Sequence, residues 1–245
     1  MYKSKYFFLL TSSNKLTNGL TWLYFIIGSI EFVAEFYSDT EIIWLTKPFL
    51  LPGLMFLYCK TSKKPNPIFL VALGFNWVAN ICFIFEDFKI IIFGASFFLI
   101  HIVLIIYLLI KLIKFPGKFP LLLCSLPFLF LHLCVANLAN ETSGYGICLF
   151  VIQGVFLIFM GGFVLANYML KSNKINFLLL ISTIFFLFTQ FIIILKYYYI
   201  SFKFFQPLAM LLFVIGQYIF YKFLILNEKR NLKYEIINNP KLKNS

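Results

Sequence analysis

Charged residues are few in this sequence. Asp, Glu, Lys and Arg make up 12% of its 245 residues, about half their share in an average soluble domain. A water-facing surface of ordinary polarity cannot be assembled from so little charge, so lipid is the expected solvent. Long polar stretches between the apolar runs are missing too. At roughly 20 residues per span, the apolar runs consume most of the chain and leave no room for a soluble domain. Strict apolar–polar alternation is absent, which excludes barrel strands. The five cysteines (Cys59, Cys82, Cys124, Cys134, Cys148) form no C-x-x-C pair, and neither histidine lies at zinc-finger spacing. Free thiols buried as small hydrophobes are expected, with no metal site and no cofactor. The first apolar run lacks a small-residue cleavage site and reads as a retained span, not a signal peptide. No inverted repeat with matched broken spans supports a transporter.

What the chain does have is apolar length. It is 62% hydrophobic and 21% aromatic, with 34 Phe and a mean hydropathy of +0.92. Eight apolar runs separate, near Leu20–Tyr37, Ile42–Tyr58, Pro67–Phe85, Ile90–Ile110, Phe119–Leu138, Tyr145–Leu170, Ile175–Leu195 and Phe205–Ile225. In lipid such runs must be helices, because the backbone has no other hydrogen-bond partner. The predicted fold class is an all-α membrane protein, a bundle of about eight transmembrane helices with both termini cytoplasmic. Residues 1–225 form the eight-span domain and 226–245 a basic cytoplasmic tail.

The charges orient the bundle. Basic residues concentrate at alternate ends: Lys3, Lys5 and Lys15; Lys60, Lys63 and Lys64; Lys111, Lys114 and Lys118; Lys171 and Lys174; then Lys222 and the tail (Lys229, Arg230, Lys233, Lys241, Lys243). The intervening loops hold Lys89, Lys196 and Lys203 with Asp39, Glu41, Glu86, Asp87 and Glu141. This alternation is the positive-inside pattern. It disperses the net charge of +12 over span ends, which argues against nucleic acid as a partner and for membrane lipids, with the tail against anionic headgroups. Asn140-Glu141-Thr142 matches a glycosylation sequon, a pattern short enough to arise by chance. The Lys-, Asn-, Ile- and Phe-heavy vocabulary suggests an AT-rich bacterial gene, and hence a multi-pass protein of the bacterial cytoplasmic (inner) membrane.

Ionisable and amide side chains inside the spans are costly and therefore informative. Glu31 and Glu35 lie one turn apart on the first span. Lys47 and Glu31 are equally far in sequence from Asp39, so an antiparallel hairpin puts them at similar depth and an ion pair from Lys47 to Glu31 or Glu35 is expected. Pro48 and Pro52 each remove a backbone donor from the second span, which must then face the bundle interior. Asn76 and Asn80 sit one turn apart on the third span. The fourth carries His101, the fifth His132, the sixth Gln153, the seventh Gln190. Glu31, Lys47, Asn80, His132 and Gln190 all fall roughly 9 Å below the outer surface at 1.5 Å per residue. A polar cavity near the outer face is the expectation; interhelical hydrogen-bond glue is the alternative. Gly162 with Ala166, and the cluster Gly94, Ala95 and Ser96, mark close helix contacts.

The eight-span layout resembles the YhhN family, which includes the lysoplasmalogenases. Lys47-Pro48 in TKPFLLPGLMFLY is similar to that family's K-P in the second span. FNWVAN, Phe75 to Asn80, is similar to its F-S-x-x-G-D, and Gly94, His101 and Tyr107 follow in a similar run. Thr189-Gln190 falls where the family has S-D, and Gly216-Gln217 is similar to the A-Q of its last span. The resemblance implies hydrolysis of the vinyl ether of a lysoplasmalogen, a reaction needing a proton donor and activated water. Its two aspartates correspond to Asn80 and Gln190, and an amide cannot exchange a proton as a carboxyl does. Hydrolase chemistry is therefore expected to be lost or degraded, leaving a protein that binds a lysolipid or another amphiphile, or an accessory subunit of a membrane complex. Alternatively, Glu31 or Glu35 supplies the acid of an active lysoplasmalogenase-type hydrolase. Cavity-lining candidates are Lys47, Asn76, Asn80, His101, His132, Gln153, Gln190 and Gln217.

Overall fold

The structure is a computed structural model and describes residues 15–85, 87–138, 145–198 and 202–238. Among these are eight helices: α1 (Lys15–Tyr37), α2 (Thr40–Thr61), α3 (Pro67–Cys82), α4 (Phe88–Leu112), α5 (Lys118–Leu138), α6 (Tyr145–Leu170), α7 (Lys174–Tyr198) and α8 (Phe205–Asn238). Each overlaps one apolar run, and the fold is the expected all-α membrane bundle. Lys3, Lys5, Glu86, the sequon Asn140-Glu141-Thr142, Lys241 and Lys243 lie outside the described residues.

Helix starts are set by local chemistry. Asp39, Asn66 and Asp87 cap α2, α3 and α4, each side-chain oxygen accepting from a first-turn amide at 2.7–3.1 Å. Asn173 does the same for α7, accepting from Ile175 and Asn176 at 3.0 Å. Such caps satisfy amides that have no partner within the helix. Pro67, at the first helical turn of α3, costs no hydrogen bond there.

Seven helices are long and apolar enough to cross a membrane. The exception is α3, whose 16 residues reach about 24 Å at 1.5 Å per residue, short of the ~30 Å hydrocarbon layer. It stops at Cys82, and Phe83, Ile84 and Phe85 turn back towards α4. The early stop leaves space above α3, at the end of the bundle that the charge pattern assigns to the outside.

The core forms around α8, which packs along α7 and α1 and touches α2. Leu54, Leu57, Phe69, Leu73, Phe220 and Phe223 are buried at its centre. Tyr24 donates its hydroxyl to the Val214 carbonyl at 2.9 Å, tying α1 to α8. The outer surface carries many large apolar side chains. Trp22, Leu45, Phe119, Phe130 and Met169 all stand outward, where lipid would receive them. The five cysteines are unpaired, as expected, but only Cys82 is buried. Cys59, Cys134 and Cys148 project from the bundle, a correction to the expectation that all are interior. In lipid an outward thiol carries no exposure penalty, so burial is not required of it.

Pro52 has a visible consequence. Lacking an amide hydrogen, it leaves the Pro48 carbonyl, four residues earlier, without its helical donor. The Trp77 indole N–H of α3 fills that role at 2.8 Å, so the break in α2 becomes a joint between α2 and α3. Trp77→Phe is expected to destabilise the protein by about 1–3 kcal/mol, the cost of stranding a part-buried carbonyl away from water. Chemical unfolding in mild detergent checks this, and wild-type stability in the variant would show that the bond contributes nothing.

Peripheral α5 contacts only α6 and α7. Glycines on α6 admit it. A Cβ on Gly161 would lie 2.7 Å from the Phe128 ring, and one on Gly162 would lie 1.9 Å from Ser125 Oγ. The small-residue reading of Gly162 is thus a real helix contact. Gly161→Leu is expected to cost about 1–3 kcal/mol through overpacking, measured as a lower melting temperature in detergent; an unchanged melt would contradict this packing.

At the opposite end from α3's stop, Glu228 of α8 accepts from Ser62 Oγ at 2.6 Å, Lys63 N at 2.8 Å and Lys64 N at 3.1 Å. The clasp places this part of α8 beside the α2–α3 loop, the same side that the charge pattern assigns to both. The helix continues past Ile225 to Asn238.

Candidate functional site

The α1–α2 hairpin assembles the charged centre. Lys47 Nζ lies 2.6 Å from Glu35 Oε1 and 3.7 Å from Glu31 Oε1. All three residues are buried: Glu31 is 0%, Lys47 4% and Glu35 8% exposed. One cation therefore serves two carboxylates, unequally. Glu35 takes the hydrogen bond; neither oxygen of Glu31 has a hydrogen-bond partner among the described residues. The network extends outward through α8 and α7. Gln206 donates to Glu35 Oε1 at 3.4 Å, and Lys196 donates to Gln206 Oε1 at 2.9 Å. Gln206 and Lys196 were not anticipated, because both sit at span ends, where polar residues are unremarkable. The Gln206-Pro207 pair opening the last span was the available signal.

A second network joins α3 to α4. Asn80 Nδ2 donates to Asn76 Oδ1 at 3.0 Å, Asn76 Nδ2 meets His101 Nε2 at 3.5 Å, and His101 Nδ1 meets the Ala72 carbonyl at 2.9 Å. A carbonyl can only accept, so the imidazole proton sits on Nδ1 and Nε2 accepts from Asn76. His101 and Asn76 are buried, at 4% and 0% exposed. The direction of donation leaves the Asn80 side-chain oxygen as the acceptor at the outer end of the chain.

Above the end of α3 opens a mouth of about 560 Å³, lined by Glu35, Ser38, Lys47, Lys196, Lys203 and Gln206 among others. Below it lies a chamber of about 50 Å³, enough for a few waters or one small polar group. Its polar lining is Lys47, Asn76, Asn80, Thr189, Gln190 and Gln206, set between Phe83, Phe98, Phe186 and Phe213. Lys47, Phe83 and Gln206 line both spaces, so the lysine stands at the boundary between mouth and chamber.

The expected single layer is thus only partly one site. Lys47, Asn80 and Gln190 meet at the chamber. Glu31 is packed behind Lys47 and lines neither space, while Glu35 lines the mouth alone. His132 and Gln153 line a different pocket between α5, α6 and α7, which touches the chamber only through Gln190. His132 stacks on Phe150 with ring centroids 4.6 Å apart, and Gln153 donates to the Ala95 carbonyl at 2.7 Å. His101 supports Asn76 from behind. Gln217 is buried at 1% exposed, away from mouth and chamber, with no partner for its Nε2 among the described residues. Equal depth did not mean equal azimuth. Among the described residues no group of three His, Cys, Asp or Glu is placed to hold a metal ion.

A chamber of amides beside one lysine can bind and orient a polar ligand. Among the described residues no carboxyl side chain lines it, so proton transfer within it has no carboxyl donor. The family model described as the YhhN family matches residues 42–224, most of the chain and all of the chamber's lining. No curated protein matches this sequence. No solved structure matches it.

Proposed function

Since this chain belongs to the YhhN family, we propose that it is an integral membrane protein that binds a phosphate-bearing, lysolipid-type amphiphile without cleaving it, in a bacterial cytoplasmic membrane. One observation carries the reading: Asn80 and Gln190, the two positions that correspond to the family's aspartates, face one chamber as amides. Vinyl-ether hydrolysis needs an acid to protonate the enol carbon and a base to activate water, work that carboxyls do and amides cannot. The mouth supports an anionic headgroup as ligand. Among the described residues, Lys47, Lys196 and Lys203 line it against the single carboxyl of Glu35, a positive balance in a partly desolvated site, where charge complementarity acts strongly.

The runner-up is an active hydrolase in which Glu35 is the acid. Its position in the mouth, 2.6 Å from Lys47, favours that reading over one using Glu31, which lines neither mouth nor chamber.

The experiment is a paired assay on purified protein in nanodiscs: saturable binding of an ester-linked lysophospholipid, and aldehyde release from a vinyl-ether lysolipid. Binding without release above the empty-disc blank is expected. Release that disappears in Glu35→Gln would establish the hydrolase instead, and absence of both would remove the proposal.

A further inference from the structure

The end of the bundle opposite the mouth holds a larger space than the chamber does. Among the described residues α8 packs against α7, α1 and α2 but not against α4. Where α8 runs on past Ile225, a cleft of about 170 Å³ therefore stays open between it, the α2–α3 loop and Leu112, the last residue of α4. The charge pattern assigns this end to the cytoplasm. Tyr58, Leu224 and Asn227 line the cleft as buried residues, at 3%, 5% and 1% exposed. Lys64 and Asn231 line it as exposed ones. The space holds more than a single water and admits a phosphate-sized group.

The hydrogen bonds already made around the cleft fix which atoms are left over. Arg230 Nη2 can only donate, and it meets Asn227 Oδ1 at 2.5 Å, so the side-chain NH2 of Asn227 remains. The Ile68 backbone N–H takes Asn66 Oδ1 at 3.0 Å, which leaves the Asn66 NH2 in the same way. Neither NH2 has an acceptor among the described residues. Lys64 adds an ammonium that pairs with no carboxylate among the described residues. Glu228 also lines the cleft, yet its two oxygens accept from Ser62 Oγ and from the Lys63 and Lys64 amides. Its charge is thus compensated from within the protein. The unpaired groups are weighted to donors, one of them charged and one, on Asn227, buried. A buried donor without an acceptor costs free energy, and an anionic oxygen repays it with a charge-assisted bond.

We infer that this cleft is a second binding site, for a phosphate-bearing anion on the cytoplasmic side, separate from the mouth and chamber. Asn66 and Asn227 donate to the phosphate oxygens and Lys64 supplies the countercharge. The same chemistry suits an anionic lipid headgroup of the inner leaflet and a soluble phosphate ester.

The test uses the full-length protein in phosphatidylcholine nanodiscs. In one arm glycerol phosphate is titrated by isothermal calorimetry. In the other the discs carry a minority of phosphatidylglycerol, and native mass spectrometry counts the molecules retained on the protein. Saturable binding is expected; in the first arm it marks a soluble ester as ligand, and in the second arm alone a lipid headgroup. Lys64→Gln and Asn227→Leu should each weaken it about tenfold, by removing a charged or a buried donor. Lys174→Gln removes the same charge from the same end of the bundle, outside the cleft, and should leave binding unchanged. Equal losses in Lys64→Gln and Lys174→Gln would overturn the site, reducing it to attraction by a basic surface. Absence of saturation in both arms would overturn it too. If Asn227→Leu fails to fold, the two lysine variants still decide. Because the mouth lies at the other end of the bundle, lysolipid binding there can fail without altering this result.

Discussion

Lys47→Met should be the most damaging single change in this protein, costing about 3–5 kcal/mol, the range found when one partner of a buried ion pair is removed. Methionine fills a similar volume, so packing contributes little. The cost comes from Glu35, which loses the ammonium 2.6 Å away, and from Glu31, which loses its only cation within 4 Å among the described residues. Gln206 offers Glu35 an amide at 3.4 Å, too weak to replace a charge. The two carboxylates differ in sign of effect. Glu31→Gln should be neutral or stabilising, because it removes a fully buried charge that accepts no hydrogen bond among the described residues. Glu35→Gln should destabilise, because it breaks the short bond. Combining Lys47→Met with Glu31→Gln and Glu35→Gln should recover most of the loss, as neutral replacements of a buried ion cluster often do, while headgroup binding stays lost. Equilibrium unfolding in mixed micelles reads the stabilities. A Lys47→Met protein as stable as wild type would show that the cluster is not a structural element.

The second large effect concerns chemistry. Asn80→Asp combined with Gln190→Asp is expected to raise vinyl-ether hydrolysis by about 10²–10⁴-fold over wild type, the range for general acid–base catalysis by positioned side chains. Both positions line the same small chamber, so the restored carboxyls face one ligand, and Lys47 at the chamber wall offsets part of the added charge. The Asn80 amide already donates to Asn76, a contact a carboxylate gives up, so some loss of stability accompanies the gain. A double variant that folds and binds lysolipid but stays silent in aldehyde release would show that the missing carboxyls are not what silences the wild type.

The charged centre was largely legible in advance. Glu31, Glu35 and Lys47 sit on two helices joined by Ser38 and Asp39, and in so tight a hairpin, depth can be counted from the turn. The chamber was half legible. Asn80 and Gln190 were paired by resemblance and by depth, and Thr189 came with Gln190, whereas Gln206 and Phe83 were not singled out. His132 had the right depth and the wrong face.

Span positions follow from the sequence alone, because hydrophobic length is a property along one dimension, and lysine placement assigns an expected side to each loop in that same dimension. Azimuth does not follow. A helix apolar on every face carries no stripe to say which side meets protein and which meets lipid, so only packing could decide that Lys47, Asn80 and Gln190 share a chamber while His132 and Gln217 turn away from it. Packing also decided that α3 stops short and leaves the mouth above it. The scarcity of charge thus announced the membrane, but where the few charges meet was settled by how eight nearly featureless helices fit together.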